Sequence, residues 1–251
     1  MNFSYTLGFI VLIILTNPLL FAQEAILIPV TDFNPENLDS VDYKNPRWSK
    51  LELPKRDNTN YRLVQVDDRI AIKAEGMNSA SGLVYKIDID PIKYPIIEWS
   101  WKVDEILEKG NYKLKKGDDY SARIYITFDY DKKNLGIIDR IKHEAIRTFT
   151  SYKIPLRAIN YIWANKAEKG TVAPNAYTDW VYMIAVETGN NTSGEWKIEI
   201  QNIYEDYKKA FGEDPPPITG VAIMTDSDDT KSKTEAYYGD IIFRKTPKIK
   251  N

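Results

Sequence analysis

Between Ile97 and Val103 the chain alternates: Ile97, Trp99, Trp101 and Val103 fall on one side of an extended backbone, with Glu98, Ser100 and Lys102 on the other. Successive side chains of a strand point to opposite faces, so a period of two specifies a strand with one face in a core. Ala122, Ile124, Ile126 and Phe128 repeat the pattern against Ser121, Arg123, Tyr125 and Thr127. Further alternating runs occupy residues 69–74, 82–88, 180–187, 196–201, 220–226 and 237–244. Turn chemistry separates such runs, including Asp57-Asn58-Thr59-Asn60, Thr188-Gly189-Asn190-Asn191 and the Pro215-Pro216-Pro217 stop. The pattern predicts an all-β fold, an antiparallel β-sandwich of jelly-roll type.

A doubly wound α/β chain would need a helix between most successive strands. Helical periodicity is confined here to one or two short excursions. In residues 135–149, Ile138, Ile141, Ala145 and Phe149 recur at three- and four-residue steps and could line one side of a helix. A second helix is predicted over residues 203–211, ended by Gly212. Neither makes a separate domain, and with no internal repeat or low-complexity linker, residues 23–251 read as one domain.

Residues 7–20 are almost wholly apolar, but Asn17 and Pro18 interrupt them. A membrane-spanning helix needs about 20 continuous apolar residues, so this segment reads as a targeting peptide rather than an anchor. Ala22 before Gln23 is an acceptable cleavage point, giving a signal peptide of residues 1–22 and an exported chain with no later membrane span. Its n-region carries no Lys or Arg, which keeps an uncleaved anchor as the rival reading.

With no cysteine, disulfides, thiolate catalysis and cysteine-ligated zinc are excluded. The 34 basic and 36 acidic residues nearly cancel, which offers no phosphate-tracking surface and argues against nucleic acid as a partner. The sole histidine, His143, falls in the first predicted helix, so a Ser-His-Asp triad or a multi-histidine metal centre is not expected. No nucleophile elbow, phosphate loop or dinucleotide fingerprint occurs.

Several motifs are particular as a set. They are Trp99-Ser100-Trp101-Lys102-Val103, Gly117-Asp118-Asp119 leading into Ala122-Arg123, Asn160-Tyr161-Ile162-Trp163-Ala164-Asn165, and residues 170–179 ending Asn175-Ala176-Tyr177-Thr178-Asp179. Phe211-Gly212, Pro216, Gly220-Val221-Ala222, Thr225-Asp226-Ser227-Asp228 with Thr230, and Tyr238-Gly239-Asp240-Ile241 complete it. Together they resemble the bacterial exported proteins grouped as domain of unknown function 3047. The resemblance implies a periplasmic or extracellular location and carries no assigned activity. The chain departs from that pattern at Asp229, where Asn is usual, and at Trp180 and Val181, where a basic residue is common.

Candidate ligand-binding residues are Arg123 and Tyr125, on the polar face of a strong strand, and Trp163, Asn175, Tyr177 and Asp179 around the 170–179 loop. A concave sandwich face would aim the first pair at a ligand; the plainer reading is a cross-strand ion pair or hydrogen bond. Trp99 and Trp101 are assigned to the core, while Trp163, Tyr177 and Trp180 are placed at the surface, where aromatic rings stack on sugars. Asp226, Asp228 and Asp229 with Thr230 offer closely spaced hard oxygens suited to calcium, against the alternative that they form a turn.

Three functions stay open on these residues. One is a non-catalytic envelope protein that binds carbohydrate or polysaccharide. The second is a polysaccharide hydrolase or lyase using Asp, Glu, Tyr and Arg, and the third is a structural envelope component.

Overall fold

The computed structural model describes residues 24–34, 48–131, 133 and 157–246. The expected helix at 135–149 with His143, and the export segment 1–22, lie outside the described residues. Thirteen strands follow in chain order: β1 (Ala25–Ile28), β2 (Trp48–Glu52), β3 (Asn60–Val66), β4 (Arg69–Met77), β5 (Ala80–Ile89), β6 (Ile96–Val103), β7 (Arg123–Phe128), β8 (Ala158–Ala164), β9 (Val172–Pro174), β10 (Val181–Thr188), β11 (Lys197–Asn202), β12 (Ile218–Asp226) and β13 (Lys233–Arg244). Among the described residues there is one α-helix, α1 (Ile203–Phe211), between β11 and β12. Among the described residues no helix is long and apolar enough to cross a membrane.

The strands form two sheets. A six-stranded sheet runs β11-β6-β13-β4-β3, with β1 paired to the end of β13, and a seven-stranded sheet runs β2-β5-β12-β7-β8-β10-β9. All named pairings are antiparallel except β8 with β10. The sandwich expected from alternation is therefore what the chain forms.

Its core fills the space between the sheets. From β6 come Ile97, Trp99, Trp101 and Val103, and from β7 Ile124, Ile126 and Phe128, all buried as the period of two requires. Trp99 packs on Tyr161 of the opposite sheet at 5.1 Å between ring centroids, and Trp101 on Trp163 at 5.9 Å. Such ring pairs add about 0.5–1.5 kcal/mol each to area burial. Gly82 lets β5 and β12 approach, since a Cβ there would lie 2.6 Å from the Ile223 carbonyl oxygen.

Helix α1 follows from its end chemistry and one apolar face. The Asn202 side chain accepts the Glu205 N–H, and Gly212, at φ 75°, closes the other end with its N–H on the Lys208 carbonyl. Tyr207 turns inward onto Phe128, 4.6 Å between centroids.

Glu199 is the inward residue of the edge strand β11 and is only 6% exposed. Burial pushes its carboxyl from 4.5 up to about 7; Lys169 opposes the rise and Glu187 adds to it. A folded pKa above the unfolded one means that the folded state binds the extra proton. This group therefore favours folding most below pH 4.5, and that contribution is lost as pH rises through about 7. Glu199→Gln is expected to flatten the slope and raise stability at pH 8 by about 2 kcal/mol, after allowing for solvent screening. Urea unfolding of both proteins at pH 5 and pH 8 checks it.

Candidate functional site

β7 and β8 sit in the middle of the seven-stranded sheet, so their outward side chains start in the least solvated part of that face. Register sets them in rows. Ala222, Tyr125, Asn160 and Met183 lie side by side across β12, β7, β8 and β10, and Met224, Arg123, Ile162 and Ala185 form the next row. Alternation along β7 puts Arg123 and Tyr125 on this face because Ile124 and Ile126 take the core.

Arg123 is 3% exposed, which corrects the surface position expected for it. The face is polar by composition, but it is buried. Its Nη2 pairs with the Asp226 carboxylate at the end of β12 and also reaches the Asp118 carbonyl at 3.4 Å. The guanidinium carbon stands 5.0 Å from the Tyr120 ring centroid and 5.7 Å from that of Tyr125. Burial alone would lower the Arg123 pKa, but Tyr125, Asp118, Tyr120 and Asp119 hold it above the ordinary arginine value. The ion pair foreseen as the plainer reading thus forms, yet it uses only part of the guanidinium. Among the described residues, Nε and Nη1 have no hydrogen-bond partner.

Asn160 is fully buried beside Tyr125 and Met183, and among the described residues neither its Oδ1 nor its Nδ2 is hydrogen-bonded. An unsatisfied buried polar group costs about 1–3 kcal/mol, so two on one side chain in a central strand call for a reason. Asp118 adds another: its Oδ2 accepts the Asn175 Nδ2–H at 2.8 Å, while its buried Oδ1 is unbonded and lies 3.7 Å from Arg123 Nη1. Burial raises the Asp118 pKa, with Arg123 and Asn175 opposing the shift.

Tyr125 is half-buried and rests on Leu51, Val84 and Ala222. Burial raises its pKa against the pull of Arg123. Tyr120 is likewise raised by burial, and its hydroxyl donates to Met183 Sδ at 3.2 Å. Both phenols therefore stay protonated at neutral pH.

Asn175 and Tyr177 join this group from the loop after β9. The Tyr177 N–H bonds to Asn175 Oδ1, and its hydroxyl lies 3.0 Å from Asp229 Oδ2 and 2.9 Å from the Lys115 carbonyl. Tyr177 is 52% exposed, as expected of it. Asp179 is exposed and enters none of these bonds.

Trp163 is the clearest correction. It is fully buried on the inner face of β8, its ring tilted 55° against that of Trp101, with its indole N–H on the Gly189 carbonyl at 3.0 Å. Its parity with Tyr161 assigns it to the core, and proximity to a loop does not override that parity. Trp180, also placed at the surface by sequence, is 4% exposed.

The acidic candidates regroup. Carboxylate oxygens of Asp119, Asp226 and Asp228 lie within 4.8 Å of one another, while Asp229 turns to Tyr177 and to Arg56. Asp119 accepts the backbone N–H groups of Asp229 at 3.3 Å and Thr230 at 2.6 Å. Asp226 accepts the Tyr120 N–H at 3.1 Å, and Asp228 pairs with Arg56 at 2.8 Å. Burial raises the Asp228 pKa, with Asp119 adding to it. These bonds tie the 226–230 turn to the 118–120 loop, the duty first weighed against calcium.

The sequence motifs include both Asn160 and Asp118, but neither stands among the candidate site residues. A signal was present: Asn160 is the one polar residue in the run Ala158-Ile159-Asn160-Tyr161-Ile162-Trp163-Ala164, every member of which is buried.

The profile of the family described as protein of unknown function (DUF3047) matches residues 46–242. No curated protein matches the sequence. Among solved structures, the chain is similar to the glycoside hydrolase domain of Spr0440, Endo-D from Streptococcus pneumoniae R6, with 7% identity and a TM-score of 0.36, over 80% of this chain and 22% of that one. It is also similar to winged bean acidic lectin complexed with methyl-α-D-galactose, with 10% identity and a TM-score of 0.33, over 80% of this chain and 99% of that one.

Proposed function

We propose that this chain, which belongs to the family described as protein of unknown function (DUF3047), is an exported protein that binds a carbohydrate on the outer face of its seven-stranded sheet. The observation that carries the reading is the buried Asn160 amide, which among the described residues is unpaired at both Oδ1 and Nδ2. A side-chain amide presents a donor and an acceptor together, which two neighbouring hydroxyls of a sugar satisfy at once. The partly exposed Tyr125 ring beside it offers an apolar face to the C–H side of a pyranose.

Binding is favoured over lyase chemistry by the same tyrosines. A phenol that abstracts a proton needs its pKa lowered, whereas burial raises those of Tyr120 and Tyr125. They are suited to donate hydrogen bonds.

Asn160→Leu separates function from folding. Replacing an unpaired buried amide by an apolar group of similar size removes a desolvation cost, so the variant is expected to melt at or above the wild-type temperature. A glycan array, followed by calorimetry on the best wild-type binder, should show binding lost. A variant that binds like wild type overturns the proposal.

A further inference from the structure

Resting on that reading, we infer that the sugar is neutral and that Asp118 is the residue that excludes acidic sugars. Charge is the first ground. Asp118, Asp119, Asp226, Asp228 and Asp229 gather around Arg123 and Arg56, five carboxylates to two guanidinium groups. An anionic ligand would enter a region where negative groups already outnumber positive ones.

The open hydrogen-bonding groups are the second ground. Among the described residues, buried donors without a hydrogen-bond partner are Arg123 Nε and Nη1 and Asn160 Nδ2, and buried acceptors without one are Asn160 Oδ1 and Asp118 Oδ1. A hydroxyl donates and accepts, so a polyol can satisfy both kinds. A carboxylate only accepts. Where it replaces a hydroxyl it would serve the donors but pair with neither acceptor, and it would place its charge beside Asp118.

Asp118 rather than Asp226 sets the preference because of how each is already engaged. Asp226 gives one oxygen to the Tyr120 N–H and the other to Arg123. Among the described residues Asp118 Oδ1 accepts no hydrogen bond, on a side chain only 8% exposed, and it meets the Nη1 of Arg123 as an ion pair at 3.7 Å, beyond hydrogen-bond length. A uronate carboxylate drawn to that Nη1 would meet this oxygen.

The test is calorimetry of the full chain with maltohexaose, cellohexaose, xylohexaose and mannohexaose as neutral probes, and hexagalacturonate and a guluronate hexamer as acidic ones. At least one neutral oligosaccharide is expected to bind, with the acidic set about tenfold weaker or more. Asp118→Asn is expected to narrow that gap by admitting the uronates, and Asp118→Ser provides the same readout if the amide variant folds poorly. Wild-type binding of an oligouronate as tight as of any neutral probe overturns the inference and leaves the sugar reading standing. A gap unchanged in both folded variants removes Asp118 from the role. No binding in either class overturns the sugar reading itself.

Discussion

Arg123→Met is expected to cost about 3–5 kcal/mol, because it removes one partner of a buried ion pair and leaves the other charged. Arg123 is 3% exposed, and the Asp226 it faces is as deeply placed, at 2%. Methionine fills similar volume but supplies no charge, so Asp226 must either stay ionised in a dry site or take up a proton. For a chain of this size the loss corresponds to a fall of about 10 °C in melting temperature. The double variant Arg123→Met with Asp226→Asn should recover more than half of it, since the amide oxygen can still accept the Tyr120 N–H that Asp226 Oδ1 now takes at 3.1 Å. Equilibrium unfolding of the two single variants and the double closes the cycle. Equal stability of Arg123→Met and wild type would mean that the pair contributes nothing.

The contrast between strand faces explains how much of this molecule could be read beforehand. Alternation in β6 and β7 identified the inner faces residue by residue, because each apolar side chain there answers to a single requirement, burial between the sheets. The outer face of β7 was read as wet because it carries Arg123 and Tyr125. Parity tells which side chains share a face, but whether a second face is covered depends on elements far away in the chain. Trp163 illustrates the opposite case: the loop beside it suggests the surface, its parity with Tyr161 assigns it to the core, and parity prevails.

The acidic group failed for a third reason. Asp226 and Asp228 are neighbours in sequence, but their third companion, Asp119, arrives from the loop before β7. Linear spacing suggested Asp229 instead. Asn160 was legible in principle, as a lone amide in an apolar strand. What makes it a candidate is that no described residue bonds to it, a property of the folded arrangement and not of the strand's sequence.

Trp99→Ala is expected to be as damaging as the loss of Arg123, by a different route. The ring is 1% exposed and bridges the two sheets, edge-on to Trp101 at 5.4 Å and tilted over Tyr161 at 5.1 Å. Truncation leaves a cavity that the flanking strands cannot close without breaking their ladders, at a cost of about 3–5 kcal/mol. That approaches the whole stability of a typical domain, about 5–15 kcal/mol, so a large loss of soluble protein should accompany it. Trp99→Phe keeps an aromatic ring in place and should lose distinctly less. Tyr125→Phe is the control from the other face: its hydroxyl makes no hydrogen bond among the described residues, so its removal should cost little stability while weakening sugar binding. Thermal melts of the three variants decide between the faces. A Trp99→Ala protein that melts like wild type, beside a Tyr125→Phe protein that collapses, would reverse the assignment of core and site.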